Sequence, residues 1–198
     1  MPGNILAVTG NIATGKSYVA EIISRDFAYA HVDADKLGHR ALALPDVRRE
    51  LRAAFGDGIF LADGSVDRRA LGALVFGDRE KLATLNAIAH PRIIAAAREE
   101  VRQLSEAGHR VLFEAAVLFE AGWGKEFPAV ILTICHEAEQ AERLMRRLGC
   151  LPEEALRIIR AQMPQDEKID RATYVVDTTH GPRAFRRTLE LIMKDIAG

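Results

Sequence analysis

An apolar run, Ile5-Leu6-Ala7-Val8, passes through Thr9 directly into Gly10-Asn11-Ile12-Ala13-Thr14-Gly15-Lys16-Ser17, and nothing else in the chain restricts its fold as much. Consecutive apolar residues ending at a glycine turn suit a parallel strand buried on both faces. Beyond Ser17, the residues Val19, Ile22, Ile23 and Phe27 recur at helical spacing, and Ala30-His31-Val32-Asp33 reads as a second short strand. Strand, glycine-rich turn, helix and strand make one βαβ unit, and the turn matches G-x-x-x-x-G-K-[ST] in full. The pattern predicts that Gly10 and Gly15 let the backbone curl with its N–H groups inward, while the helix adds its positive end. Lys16 is then placed to bridge the β- and γ-phosphates of a triphosphate, with the Ser17 hydroxyl as a ligand of Mg²⁺. A glycine turn that merely caps a helix requires neither Lys nor Ser at those positions.

Further buried strands are predicted at Val111-Leu112-Phe113-Glu114, at Val130-Ile131-Leu132-Thr133-Ile134-Cys135 and at Tyr174-Val175-Val176-Asp177. A last helix from Pro182 to Ile196 carries Phe185, Leu189, Ile192 and Ile196 on one face. Strands alternating with helices imply an α/β fold, of the P-loop NTPase type, around a parallel sheet. Two stretches interrupt the alternation. Residues 36–108 are mostly helical in pattern, broken by turns at Phe55-Gly56-Asp57-Gly58 and Ala62-Asp63-Gly64-Ser65, and suit a helical substrate-binding insertion. Residues 137–169 gather Arg143, Arg146, Arg147, Arg157 and Arg160 on two helical stretches broken at Gly149 to Pro152. They read either as a lid over phosphates or as a solvated charged surface. Residues 1–35, 109–136 and 170–198 are left as the nucleotide-binding core of a single domain.

With 27 Lys plus Arg against 28 Asp plus Glu, the chain has no global positive charge to make nucleic acid its main partner. Two cysteines, Cys135 and Cys150, do not make a disulfide framework and fit a reducing cytoplasm. Met1-Pro2-Gly3-Asn4 runs into the first strand without a basic leader, so it does not read as a signal peptide. No window approaches an uninterrupted apolar membrane span.

A kinase needs a carboxylate to take the acceptor hydroxyl's proton and an acid to order the magnesium shell. Asp33-Ala34-Asp35 stands at the carboxyl end of the second strand, where α/β enzymes bind ligands. Strand alternation predicts that Asp33 and Asp35 point the same way, with Asp33 alternatively a helix cap. Glu114 ends its apolar run where a magnesium-ordering acid belongs, although a lone Glu at a strand end is usually solvated.

These residues resemble the dephospho-coenzyme A kinase family over nearly the whole chain. Thr9 to Ser17 match its T-G-G-I-G-S-G-K-S, and Asp33-Ala34-Asp35 its D-A-D. Phe55-Gly56, Asp63-Gly64, Asp67-Arg68-Arg69-Ala70-Leu71, Val75-Phe76, Leu85-Asn86 and Ala89-His90-Pro91 follow in the family's order. So do Leu118-Phe119-Glu120, Gln140 with Arg143, and the later Gln162. Departures fall at Asn11 and Ala13, where the family has glycines, and at Glu114-Ala115-Ala116-Val117, where it has an Asp and then a Pro. Ala172-Thr173-Tyr174 and Asp177-Thr178-Thr179 likewise replace A-D-Y and D-N-S in a region expected near the adenine.

The resemblance implies transfer of the ATP γ-phosphate to the ribose 3′-hydroxyl of dephospho-coenzyme A, the last step of coenzyme A synthesis, with Mg²⁺ as cofactor. It implies Asp35 as general base, Asp33 as its neighbour, and Lys16 on the phosphates. ATP is expected on Gly10 to Ser17 and Tyr18, with Arg143 and Arg147 closing from the lid. The acceptor is expected near Thr9, Asp35, Arg40, Arg69, His90, Arg92 and Glu120, and the metal near Ser17 and Glu114. His90 reads equally as a helix-capping residue before Pro91. No membrane, nucleic acid or obligate protein partner is expected. Another small P-loop kinase, acting on a nucleotide or metabolite, shares the cradle but not the later motifs. A GTPase-like switch lacks its N-K-x-D stretch here.

Overall fold

The structure, a computed structural model, describes residues 5–75 and 77–198. Residues 1–4 and Phe76 of the Val75-Phe76 pair lie outside the described residues. Five strands, β1 (Ile5–Gly10), β2 (Tyr29–Asp33), β3 (Arg110–Glu114), β4 (Ala129–Ile134) and β5 (Tyr174–Asp177), form a parallel sheet in the order β2-β3-β1-β4-β5. The chain leaves β1 toward one edge, fills the gap with β3, then crosses β1 to lay down β4 and β5. That reversal beside β1 is a topological switch point, and it is at the carboxyl ends of the strands flanking such a point that α/β sheets take their ligands.

The chain divides into two units. One runs to Asp33 and resumes over Gln103–Gly198; the other is Ala34–Arg102. In the first, β1 is buried along its whole length, as its apolar run predicts for a central strand. Helix α1 (Lys16–Phe27) buries Val19, Ala20, Ile22 and Ile23 against Leu6, Val8, Leu112 and Ile131, so its apolar stripe covers the sheet. The last helix, α9 (Pro182–Ala197), adds Phe185, Leu189, Ile192 and Met193 to the same core, with Pro182 in its first turn. Helices α6 (Glu137–Leu148) and α7 (Pro152–Arg160) pair through Ala141, Leu144, Ala155 and Ile159, with Gly149 in a left-handed cap at the break. A short helix, α8 (Gln165–Ile169), follows, which the pattern of the sequence did not disclose.

The second unit is helical, with α2 (Ala34–Leu42), α3 (Pro45–Phe55), α4 (Arg68–Val75) and most of α5 (Arg79–Glu106). Its core is Val47, Leu51, Ile59, Leu71, Val75 and Ile88. Asp67 caps α4 by accepting the N–H groups of Arg69 at 2.9 Å and Ala70 at 3.1 Å, so the D-R-x-x-L motif is a helix start. Two expectations are corrected. The strand ends at Asp33 and α2 opens at Ala34, so strand alternation does not relate Asp33 to Asp35; Asp35 lies in a first helical turn, where a carboxylate favours the helix dipole. His90 and Pro91 lie inside α5, so His90 is not a cap. Among the described residues no helix is long and apolar enough to cross a membrane.

Candidate active site

The loop between β1 and α1 is held from behind by β4 and by the turn after β5. A Cβ on Gly10 would lie 2.1 Å from Thr133 Oγ1 and 2.7 Å from the Thr133 carbonyl oxygen, so no side chain fits there. Thr14, fully buried, donates to the Asn11 carbonyl at 2.8 Å and lies 2.8 Å from Thr133 Oγ1, while Thr178 Oγ1 donates to the Thr14 carbonyl at 2.8 Å. Gly15, at φ +80°, caps α1 in the left-handed region that glycine favours. The first N–H groups of α1, which no intrahelical carbonyl can reach, thus open at the end of the loop. Thr133 and Thr178 are structural members of the site that the sequence did not single out: one hides in an apolar strand, the other in a polar turn.

Glu114 is the centre of charge. Its residue stands opposite Val8 of β1 and Asp33 of β2 in the sheet register, bringing three strand ends to one edge. Lys16 Nζ lies 2.5 Å and Ser17 Oγ 2.6 Å from the same oxygen, Glu114 Oε1. His31 Nε2 approaches the other oxygen at 2.8 Å, without the alignment of a hydrogen bond. Burial pushes the Glu114 carboxyl up, but His31, Lys16 and Ser17 together outweigh it and hold it down at about 2. Glu114 is therefore an anion throughout the neutral range, wedged between the lysine and the hydroxyl of the phosphate loop. His31 was not anticipated, because a lone histidine in a short strand carries no local signal of its neighbour across the sheet.

Around this hub the other sequence-derived candidates fall differently. Thr9 is buried, and its carbonyl accepts Thr133 Oγ1 at 3.3 Å. Tyr18 is exposed and meets Phe185 edge-on, with centroids 6.3 Å apart. Arg143 of α6 is half-buried; it donates to Thr178 Oγ1 at 3.0 Å, to the Thr178 carbonyl at 2.7 Å and to Glu139 at 2.8 Å, so it is docked on the turn after β5. Arg147 is exposed. Glu120 pairs at 2.8 Å with Lys168, which is fully buried and also lies 3.3 Å from the Ala116 carbonyl. Lys168 stands in a polar run, Gln165-Asp166-Glu167-Lys168, and its burial was not foreseeable from that run.

Within the second unit, Arg40 pairs with Glu100 at 2.6 Å and Arg69 is exposed. Arg92 bridges Asp46 at 3.1 Å and Glu50 at 2.5 Å and donates to the Ile88 carbonyl at 3.1 Å. The Arg92 guanidinium holds the Asp46 carboxyl below its ordinary value. His90 is half-buried, and that burial lowers its pKa.

A phosphate loop closing the central strand, a lysine and serine meeting an acid from the neighbouring strand, and a parallel sheet in this order define an ATP-dependent P-loop kinase. The family model for dephospho-CoA kinase matches residues 4–182. A dephospho-CoA kinase of Geobacter sulfurreducens is 38% identical over 192 residues, 96% of each chain, and that of Carboxydothermus hydrogenoformans is 35% identical over 193 residues, 96% of this chain and 93% of its own. A crystal structure from Thermus thermophilus superposes with a TM-score of 0.82 at 35% identity, covering 98% of both chains. The chain belongs to the dephospho-CoA kinase family.

Proposed function

We propose that this chain transfers the γ-phosphoryl group of ATP to the ribose 3′-hydroxyl of dephospho-coenzyme A, completing coenzyme A. The observation that carries the reading is the convergence of Lys16 and Ser17 on one oxygen of Glu114, in a chain of this family. When the triphosphate enters, Lys16 turns from Glu114 to the β- and γ-phosphates, where its charge offsets what develops on the transferring group. Ser17 Oγ and the Glu114 carboxylate, 2.6 Å apart, supply the hard oxygen donors that Mg²⁺ takes, directly or through its waters. Held by these residues, Mg²⁺ would supply Lewis-acid chemistry, drawing negative charge from the phosphates.

Phosphoryl transfer has a loose transition state, so positioning carries most of the catalysis; the neutral acceptor hydroxyl must still lose a proton. Asp35 takes it, with Asp33 beside it in sequence. Residues 36–108 receive the acceptor, with Thr9, Arg40, Arg69, His90, Arg92 and Glu120 contributing contacts. Arg40 and Arg92 exchange their present carboxylate partners for the acceptor's phosphates, and Glu120 contributes while anchored by Lys168. Residues 137–169 act as lid, with Arg143 and Arg147 toward ATP. The two unpaired thiols suit a cytoplasmic enzyme. Incubation with ATP, Mg²⁺ and dephospho-coenzyme A should give a product heavier by one phosphoryl group. A panel of nucleoside monophosphates should give none, and phosphorylation of one of these instead would overturn the substrate assignment.

A further inference from the structure

We infer that Gln140 and Gln162 are positioning residues for ATP, whose side-chain amides clasp Ile12 and hold the phosphate loop in a backbone conformation that Ala13 disfavours. The Ile12 N–H donates to Gln162 Oε1 at 2.7 Å, and the Ile12 carbonyl accepts Gln140 Nε2 at 2.6 Å. The orientation of a side-chain amide is often ambiguous, but here it is fixed, because a backbone N–H can only donate and a carbonyl only accept. Asn11 adds a third tie, its Nδ2 donating to the Met163 carbonyl at 3.0 Å. Gln140 is only 1% exposed, and its Nε2 is aimed at the Ile12 carbonyl, so the loss of this amide would leave that carbonyl without its partner. The two glutamines come from α6 and from the segment after α7, both remote from the loop in sequence.

The need for such a grip lies one residue further on. Ala13 has φ +62°, the left-handed region in which a Cβ crowds the backbone. Strained backbone persists only where its surroundings over-determine it. Here the surroundings are the Ile12 clasp and the packing of Ile12 and Ala13 against Ala141, Leu144, Ala155 and Ile159. With the clasp cut, Ala13 can relax out of the left-handed region, and the peptides on either side rotate with it. The N–H groups that follow then no longer converge on a phosphate. The clasp therefore sets how well the cradle is formed before ATP arrives, and ties that to the docking of α6 and of the segment after α7.

This inference rests on the ATP site proposed above, so ATP affinity is measured apart from turnover. Calorimetric titration of Gln162→Met and of Gln140→Met with ATP and Mg²⁺ should show binding weakened about 2–10-fold each, the range for one lost hydrogen bond. KM for dephospho-coenzyme A should not change. Gln162 is half-buried, so its variant folds even if the buried Gln140 is less tolerant. Ser24→Ala serves as control: it removes a side-chain bond to the Tyr29 carbonyl, 2.9 Å long, at the opposite edge of the sheet, and should lower Tm without moving ATP affinity. Adding Ala13→Gly to Gln162→Met should restore most of the lost affinity, since glycine adopts the left-handed region without strain. The inference is overturned if Gln162→Met lowers Tm like the control but binds ATP as the wild type does, or if Ala13→Gly restores nothing. Absence of wild-type turnover with dephospho-coenzyme A, with ATP binding intact, would sink the substrate assignment alone.

Discussion

The two units prepare their charges in opposite ways. Around the phosphate loop, buried Lys16 is bonded to buried Glu114 and buried Thr14 to buried Thr133, so these polar groups are held in place before a ligand arrives. In the helical unit, Arg40 and Arg92 are at least partly exposed and spend their charge on surface carboxylates. Exposed pairs are weak and exchange readily, so such arginines can release their partners to an anionic substrate at little cost. Buried charges bonded on several sides are held in place beforehand and reorganise less during the reaction: in the proposed reading Lys16 changes partner, while Glu114 keeps Ser17. In the proposed reading, a triphosphate common to many kinases meets a rigid cradle, and the acceptor meets adaptable side chains.

The sharpest way to break this contrast is at Asp35, the helical unit's proposed contribution to the chemistry. Asp35→Asn keeps the shape and removes the proton acceptor, so turnover should fall by roughly 10²–10⁴-fold with ATP binding little changed. If Asp35→Asn keeps substantial turnover while Asp33→Asn abolishes it, Asp33 is the base. Next comes the cradle itself: Lys16→Ala should leave a folded protein with turnover down by about 10²–10³-fold. Near-normal rates would remove the phosphate role of the loop.

A third effect is on stability. Because the folded-state pKa of Glu114 is depressed to about 2 from an ordinary 4.5, its contribution is complete above the unfolded value and is lost as pH falls toward the folded one. That shift corresponds to on the order of 3 kcal/mol. The stability gap between wild type and Glu114→Gln in urea melts should therefore be widest above about pH 5 and close on acidification. A gap that does not narrow would mean that the carboxylate is not held down by its neighbours. The smallest effect is expected at the proposed lid. Arg143→Ala should raise KM for ATP by about 10-fold, the scale of one charged hydrogen bond, and leave KM for dephospho-coenzyme A unchanged. Arg147→Ala should do less, because Arg147 is exposed.

What was legible in the sequence was what is local. The apolar run of β1, the glycines and the Lys-Ser pair are contiguous, and a strand–turn–helix places them without help from the rest of the chain. Three of the other four strands were visible as apolar runs and β2 as the short stretch Ala30-His31-Val32-Asp33, and the helical stretch after β2 as a change of period. The relation of Asp33 to Asp35 was misjudged because Ala34 starts a helix one residue after the strand ends, and a short apolar strand does not announce its last residue. His31 and Lys168 gain their meaning only through partners brought up by the fold, Glu114 from the adjacent strand and Glu120 from the loop beyond it. His90 before Pro91 looked like a helix boundary, since proline disfavours helix at the preceding residue, yet α5 continues through both.

The arrangement of charge at the cradle depends on Glu114, which meets Lys16 and Ser17 before any ligand does. Titrating wild type and Glu114→Gln with ATP, with and without Mg²⁺, measures that dependence directly. Mg²⁺ should strengthen ATP binding to the wild type, and in Glu114→Gln both that gain and turnover should fall by about 10–100-fold, as when a group that orients a metal's ligands is lost. An unchanged response to Mg²⁺ together with wild-type turnover in a folded Glu114→Gln would contradict the role given to Glu114.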